Sequence, residues 1–171
     1  MLTLSELQHI ASTLTGARFV KQVGPFVLLQ HAAAALLHDG DERKRTALIS
    51  KGAMIKKSAE LKTDLSKLEV TLLPPMAATS SLKVGRAPDN DLILEDPSAS
   101  KYHALLSWKS GHGELTDLGS MNGTTVNGEV VAANTPRMLR DGEVLSFGGA
   151  QFVFYSSPRI FDILSSSSVV R

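Results

Sequence analysis

The stretch "GRAPDNDLILEDPSASKYHALLSW", Gly85–Trp108, holds two apolar runs on either side of a polar bend. Ile93 and Leu94 close the first run, and Ala104, Leu105, Leu106 and Trp108 open the second. Between them "EDPSASKYH" gathers two serine hydroxyls, a lysine and a histidine around one turn, with Gly85-Arg86 at the front of the segment. A short apolar run, a turn and another short apolar run are the signature of paired strands rather than of a helix.

The same rhythm extends in both directions. "VTLL" precedes Pro74-Pro75, and "SLKVGR", "NDLIL", "HALLSW", "GELTDL", "TTVNGEVV", "PRMLRDGEVLSF" and "AQFVFY" follow. Turn signals separate them at Pro88-Asp89, Asp96-Pro97, Gly111–Gly113, Asn122-Gly123, Asn127-Gly128, Asp141-Gly142 and Gly148-Gly149. Short runs punctuated about every 8–12 residues predict an antiparallel β-sandwich. Asn127-Gly128 predicts a two-residue hairpin, because a type I′ turn needs positive φ at both central positions.

Upstream the pattern differs. Thr3 or Ser5 can cap a helix carrying Leu7, Ile10, Ala11 and Leu14, which Gly16 stops. "FVKQV" (Phe19–Val23) and "PFVLLQ" (Pro25–Gln30) read as short strands broken at Gly24-Pro25. "HAAAALLHDGDERKR" mixes helix-forming alanines with a turn at Asp39–Asp41, and Leu61, Leu65 and Leu68 share one helical face. "SSPRIFDIL" predicts a closing helix with Pro158 in its first turn. The expected organisation is a small α+β N-terminal region over 1–67, a mainly β sandwich over 68–155, and a short helix with a Ser-rich tail over 156–171.

Composition narrows the function. The 171 residues are 43% hydrophobic and 20% charged, with a net charge of +1, which argues against nucleic-acid binding through bulk charge. Residues 1–69 carry ten Lys/Arg against seven Asp/Glu, whereas residues 70–155 carry six against nine. An anion site in the second segment must therefore rest on a few placed groups. The chain has no cysteine, which removes disulfides, thiolate nucleophiles and Cys-ligated metals. No run reaches the roughly 18 apolar residues of a membrane span, and the N-terminus lacks the features of a signal peptide, so a cytoplasmic protein is expected.

Three loops carry the chemistry: Gly85-Arg86, "PSASKYH" (97–103) and "GSMNGT" (119–124). Together they offer a guanidinium, hydroxyls, an ammonium, an imidazole and a primary amide without a carboxylate. That set suits a compact dianion with several acceptor oxygens. Asp89, Asp91, Glu95 and Asp96 lack the glycine and spacing of a calcium loop and read as a solvated acidic rim. There is no P-loop, dinucleotide fingerprint, nucleophile elbow or metal-spaced histidine pair, so no enzyme, cofactor or metal is expected.

Gly85-Arg86, then Ser100 and His103, then Asn122-Gly123-Thr124 and Asn127-Gly128, on a β-rich frame from about Leu68 to Tyr155, resemble a forkhead-associated (FHA) domain of bacterial type. The resemblance implies a sandwich of about eleven strands that recognises phosphothreonine peptides. It implies phosphopeptide contacts from Arg86, Ser100, Lys101, Asn122 and Thr124, with a pocket for the threonine methyl near Asn122 and Thr124. Gly85, His103, Gly123, Asn127 and Gly128 support that site, His103 by bracing the loop that carries Ser100.

The chemistry agrees with this assignment. A phosphothreonine carries a charge of about −1.5 to −2 and three strong acceptors. Arg86 can meet two of its oxygens with a planar fork, and Asn122 can pair its amide with a peptide main chain. The expected partner is a phosphothreonine-containing protein, a Ser/Thr kinase or its substrate, with no nucleic acid and no membrane. The competing expectation is an assembly module that uses this fold and the N-terminal region without phosphate. "ERKRTALIS" also places Thr46 behind Arg43-Lys44-Arg45, a setting that suits a basophilic kinase and a self-association through phosphorylated Thr46.

Overall fold

Phe26–Gln30 (β2) points alternate side chains into two different cores. Phe26 and Leu28 enter one, and Val27 and Leu29 enter the other. The same split recurs along Ala150–Ser156 (β12), where Phe152 and Phe154 face the first core and Val153 and Tyr155 the second. Successive side chains of a strand leave opposite faces. A strand buried on both therefore reads as an unbroken apolar run, as "FVLL" and "FVFY" do.

The computed structural model describes residues 2–30, 69–72 and 81–167. The remaining strands are Leu2–Thr3 (β1), Glu69–Leu72 (β3), Ser81–Gly85 (β4), Leu92–Ile93 (β5), Ala104–Lys109 (β6), His112–Asp117 (β7), Thr124–Val126 (β8), Glu129–Val130 (β9), Arg137–Met138 (β10) and Val144–Phe147 (β11). Among the described residues they form a seven-stranded sheet, β1-β3-β2-β12-β11-β8-β9, and a five-stranded sheet, β10-β7-β6-β4-β5. All pairings are antiparallel except β4 with β5. The mainly β sandwich expected from the strand rhythm is present. Its inter-sheet core includes Leu82, Val84, Leu106, Leu115, Leu145 and Phe147.

Helices Leu4–Thr13 (α1), Gly16–Val23 (α2) and Ser157–Ser167 (α3) supply the second core. Thr3 caps α1 in a capping box: the Glu6 N–H donates to Thr3 Oγ1 at 3.3 Å and the Thr3 N–H donates to the Glu6 carboxylate at 2.7 Å. Leu4, Leu7 and Ala11 follow on the buried face, meeting Ile160 and Leu164 of α3. Pro158 stands in the first turn of α3, where its missing N–H costs nothing.

One sequence expectation needs correction. Phe19–Val23 is helix, not strand. Phe19 and Val23 are four residues apart and so share the buried face of α2, and Gly24 ends the helix at φ +95°. Strands from before and after residue 67 share one sheet. β2 lies between β3 and β12, pairing Phe26 with Ser156 and Leu29 with Val70. Leu61, Leu65, Leu68 and Thr46 lie outside the described residues.

The Asn127-Gly128 turn has φ of +52° and +83°, as a type I′ hairpin requires. Asn127 also exchanges two bonds with β11, its N–H donating to Val144 O at 2.8 Å and its Oδ1 accepting the Val144 N–H at 2.9 Å. Arg137 closes the same end of the sandwich, donating to Val126 O at 3.3 Å and pairing with Glu129 and Glu143 at 3.5 and 3.6 Å.

Candidate functional site

The segment after β4 runs alongside the segment before β6. Arg86 N–H donates to Ser100 O at 2.9 Å, Ala87 N–H to Lys101 O at 3.0 Å, and His103 N–H to Val84 O at 2.9 Å. Gly85 lies against the second segment, and a Cβ there would collide with the Lys101 carbonyl. Backbone cannot yield as a flexible side chain could, so the position requires glycine for space rather than for φ. Asn90 reinforces the contact, because its buried amide donates to Ala87 O and Lys101 O at 2.9 and 2.7 Å.

Side chains complete the assembly. Arg86 is exposed, and its Nε donates to Ala99 O at 3.2 Å, leaving both terminal guanidinium nitrogens without partners among the described residues. His103 is fully buried. Its Nδ1 accepts the Ser100 N–H at 3.0 Å, so the ring proton sits on Nε2 and donates to Gly123 O at 3.2 Å. The imidazole thus joins the Ser100 bend to the Asn122 loop. Two further bonds bridge the same gap: Met121 N–H to Ser100 Oγ at 2.9 Å, and Asn122 Nδ2 to Ser98 O at 2.7 Å.

Two carboxylates stiffen the loops from within. Asp117 accepts the Gly119 and Ser120 N–H groups at 2.8 and 2.9 Å, together with the hydroxyls of Ser120 and Thr124. Its burial alone would raise its pKa, but the Ser120 and Thr124 hydroxyls and the Ser120 and Gly119 N–H groups outweigh that and hold the carboxyl below the usual range. Asp96 accepts the Ser98 hydroxyl and N–H, which lowers its pKa in the same way. Ser98 in turn receives the Gly149 N–H at 2.7 Å. Ser98 went unread, although the Asp-Pro-Ser sequence is a typical setting for an Asx turn.

Arg86, Ser100, Lys101 and Asn122 therefore come together on adjoining, mutually bonded loops, with Gly85, His103 and Gly123 beneath them. Thr124 is not exposed beside them: it is fully buried, and its hydroxyl donates to Asp117. Asn127 and Gly128 shape the hairpin and its tie to β11. The acidic residues are largely engaged rather than a free rim. Asp89 accepts from the Tyr102 hydroxyl at 2.9 Å, Asp91 accepts the Lys83 N–H at 2.8 Å, and Asp96 holds Ser98. No three His, Asp or Glu side chains among the described residues converge as metal ligands, and no helix there is long and apolar enough to cross a membrane.

Such a cluster of donors on loops at the end of a β-sandwich is the arrangement of a binding module. Residues 82–148 match the model of the FHA domain, and this segment of the chain is an FHA domain. The chain is 42% identical over 82 residues to the ABC transporter ATP-binding/permease protein Rv1747 of Mycobacterium tuberculosis, covering 48% of this chain and 9% of that protein. It is 36% identical over 78 residues to the glycogen accumulation regulator GarA of Mycolicibacterium smegmatis, covering 46% and 48%. The match thus spans about half or less of these relatives' own lengths. A structure from work on phosphothreonine-dependent FHA domain interactions is 30% identical, covering 53% of this chain and 88% of that one, with a TM-score of 0.45.

Proposed function

We propose that the protein binds phosphothreonine peptides and acts in Ser/Thr-kinase-dependent signalling or complex assembly, as a binding module without catalytic activity of its own. The observation that carries this reading is Arg86. It is exposed, anchored through Nε, and left with its terminal nitrogens free beside the Ser100 hydroxyl loop. A guanidinium fork of this kind suits two oxygens of a phosphate dianion. Lys101 adds a mobile charge, and Asn122, bonded to Ser98 through one amide hydrogen, retains a second hydrogen and its Oδ1 for a peptide main chain. The partner is a phosphothreonine protein, a kinase or a kinase substrate.

The test is titration of phosphothreonine, phosphoserine and unphosphorylated peptide sets against the wild-type protein and Arg86→Ala. Loss of a charge-assisted contact costs about 1.5–3 kcal/mol, a drop of roughly ten- to a hundred-fold. Phosphate-independent binding, or binding indifferent to Arg86, would sink this reading and favour the assembly alternative. The chain's own Thr46 is one candidate ligand, supported by Arg43-Lys44-Arg45 ahead of it. If phosphorylated protein and its Thr46→Ala counterpart take up peptide equally and sediment alike, Thr46 is not a ligand.

A further inference from the structure

Two Asn-Gly pairs lie in the sandwich, Asn122-Gly123 and Asn127-Gly128, and the fold holds them differently. Asn127 is clamped to a single residue of β11. Its N–H donates to Val144 O at 2.8 Å, and its Oδ1 accepts the Val144 N–H at 2.9 Å. Asn122 is exposed, and among the described residues its only bond runs from Nδ2 to Ser98 O at 2.7 Å. Its Oδ1, its main-chain N–H and C=O, and the N–H of Gly123 have no partner there. The anchors of this loop, Met121 N–H on Ser100 Oγ and Gly123 O on His103, lie to either side of the peptide bond between residues 122 and 123. Apart from the chain neighbours, no atom stands within 4 Å of where a Gly123 Cβ would be.

We propose that Asn122 is a site of spontaneous deamidation, a modification that disables the binding loop. Asparagine is among the thermolabile side chains. The Gly123 nitrogen, after losing its proton to solvent base, attacks Asn122 Cγ and closes a succinimide ring, and Nδ2 leaves as ammonia. Water then opens the ring at either carbonyl and gives aspartate or isoaspartate. Water is taken up and ammonia released, with no change of oxidation state. Glycine favours the attack because no Cβ crowds its nitrogen and its backbone turns freely. At Asn122 the bond given up is the one on the leaving nitrogen. At Asn127, turning Cγ towards Gly128 breaks the tie to β11 and disturbs the hairpin. Either product at position 122 lacks the N–H that reaches Ser98 O, and sets a carboxylate on the loop hung from the Ser100 bend. Like charges repel, so that carboxylate works against a phosphate dianion. The modification does not depend on the phosphothreonine reading, but its effect on binding does.

The test is incubation of the full-length protein at mildly alkaline pH, then peptide mapping by mass spectrometry and enzymatic methylation of isoaspartate. Asn122 should show the mass gain of hydroxyl for amine several-fold sooner than Asn127, and sooner still as pH rises. Asn122→Gln needs a larger ring and should stay unmodified at that position. Equal rates at Asn122 and Asn127, or reaction at Asn122 only after denaturant is added, overturn the proposal. Phosphothreonine peptides are then titrated against fresh protein, aged protein and Asn122→Asp. Binding by the aged sample should fall in proportion to its modified fraction while its circular dichroism is unchanged. Asn122→Asp should bind roughly ten-fold or more weakly than wild type. Full binding by the modified protein overturns the disabling effect. If no peptide binds the fresh protein, the phosphothreonine reading falls and the effect on binding with it, while the mapping still decides the site of modification.

Discussion

The Ser100 hydroxyl oxygen accepts the Met121 backbone N–H at 2.9 Å, which hangs the Asn122 loop from the bend that precedes β6. A hydroxyl that accepts in this way keeps its own hydrogen free to donate. Ser100→Ala removes the loop contact and the donor together. Calorimetric titration should find phosphothreonine peptide binding weakened roughly ten- to a hundred-fold. Ser100→Thr keeps both groups and should bind within a few-fold of wild type.

His103→Phe keeps a ring at a fully buried position and removes both of its bonds. The Ser100 N–H and the Gly123 carbonyl lose their partner, at about 1–3 kcal/mol for each buried group left unsatisfied. Thermal unfolding should fall by on the order of 5–10 °C. Peptide binding should weaken as well, although the ring touches no ligand, because the two loops are no longer registered.

The Asp117 carboxyl sits below its unfolded value, so its contribution to stability is present above the unfolded carboxylate pKa and is lost as pH falls through the folded one. The melting temperature should therefore decline below about pH 4, where unfolded aspartate begins to take up protons. Asp117→Asn should be less stable at neutral pH and should show a flatter acid limb. An acid limb identical to that of wild type would mean that the bonds to Ser120 and Thr124 contribute nothing.

A protein truncated to begin at residue 68 would lose β2, and with it the five-residue pairing to β12 and the burial of Phe26, Val27, Leu28 and Leu29. It should be insoluble or unfolded by circular dichroism, even though it retains the whole segment matched to the FHA domain. A soluble, cooperative truncation that binds peptide would show that residues 1–67 are an accessory.

The sandwich was legible because turn residues divide it so regularly, and the Asn127-Gly128 hairpin because its backbone demand falls on two suitable residues. Arg86, Ser100 and Asn122 could be singled out because they lie within a specific order of motifs, and the fold brings their loops together. Phe19–Val23 was misread because a five-residue window cannot separate a helical i, i+4 pair from a short strand. The place of β2 was hidden because strand order depends on contacts between residues more than forty positions apart, as with Leu29 and Val70. The bond made by Thr124 was hidden for a related reason: the motif shows its position in the chain, but the reach of the Asp117 carboxylate fixes which way its hydroxyl is used.

The bond from Arg86 Nε to Ala99 O also has an entropic side. A free arginine side chain gives up about 1.5–2 kcal/mol of rotamer freedom when it is fixed. Here part of that ordering is completed as the protein folds, before any ligand arrives. For the proposed phosphopeptide the guanidinium would then be aimed in advance, and more of the contact energy would survive as affinity. A lysine at position 86 would have no N–H on its stem to make that bond. Its deficit relative to arginine should therefore appear in the entropy of binding as well as in its enthalpy.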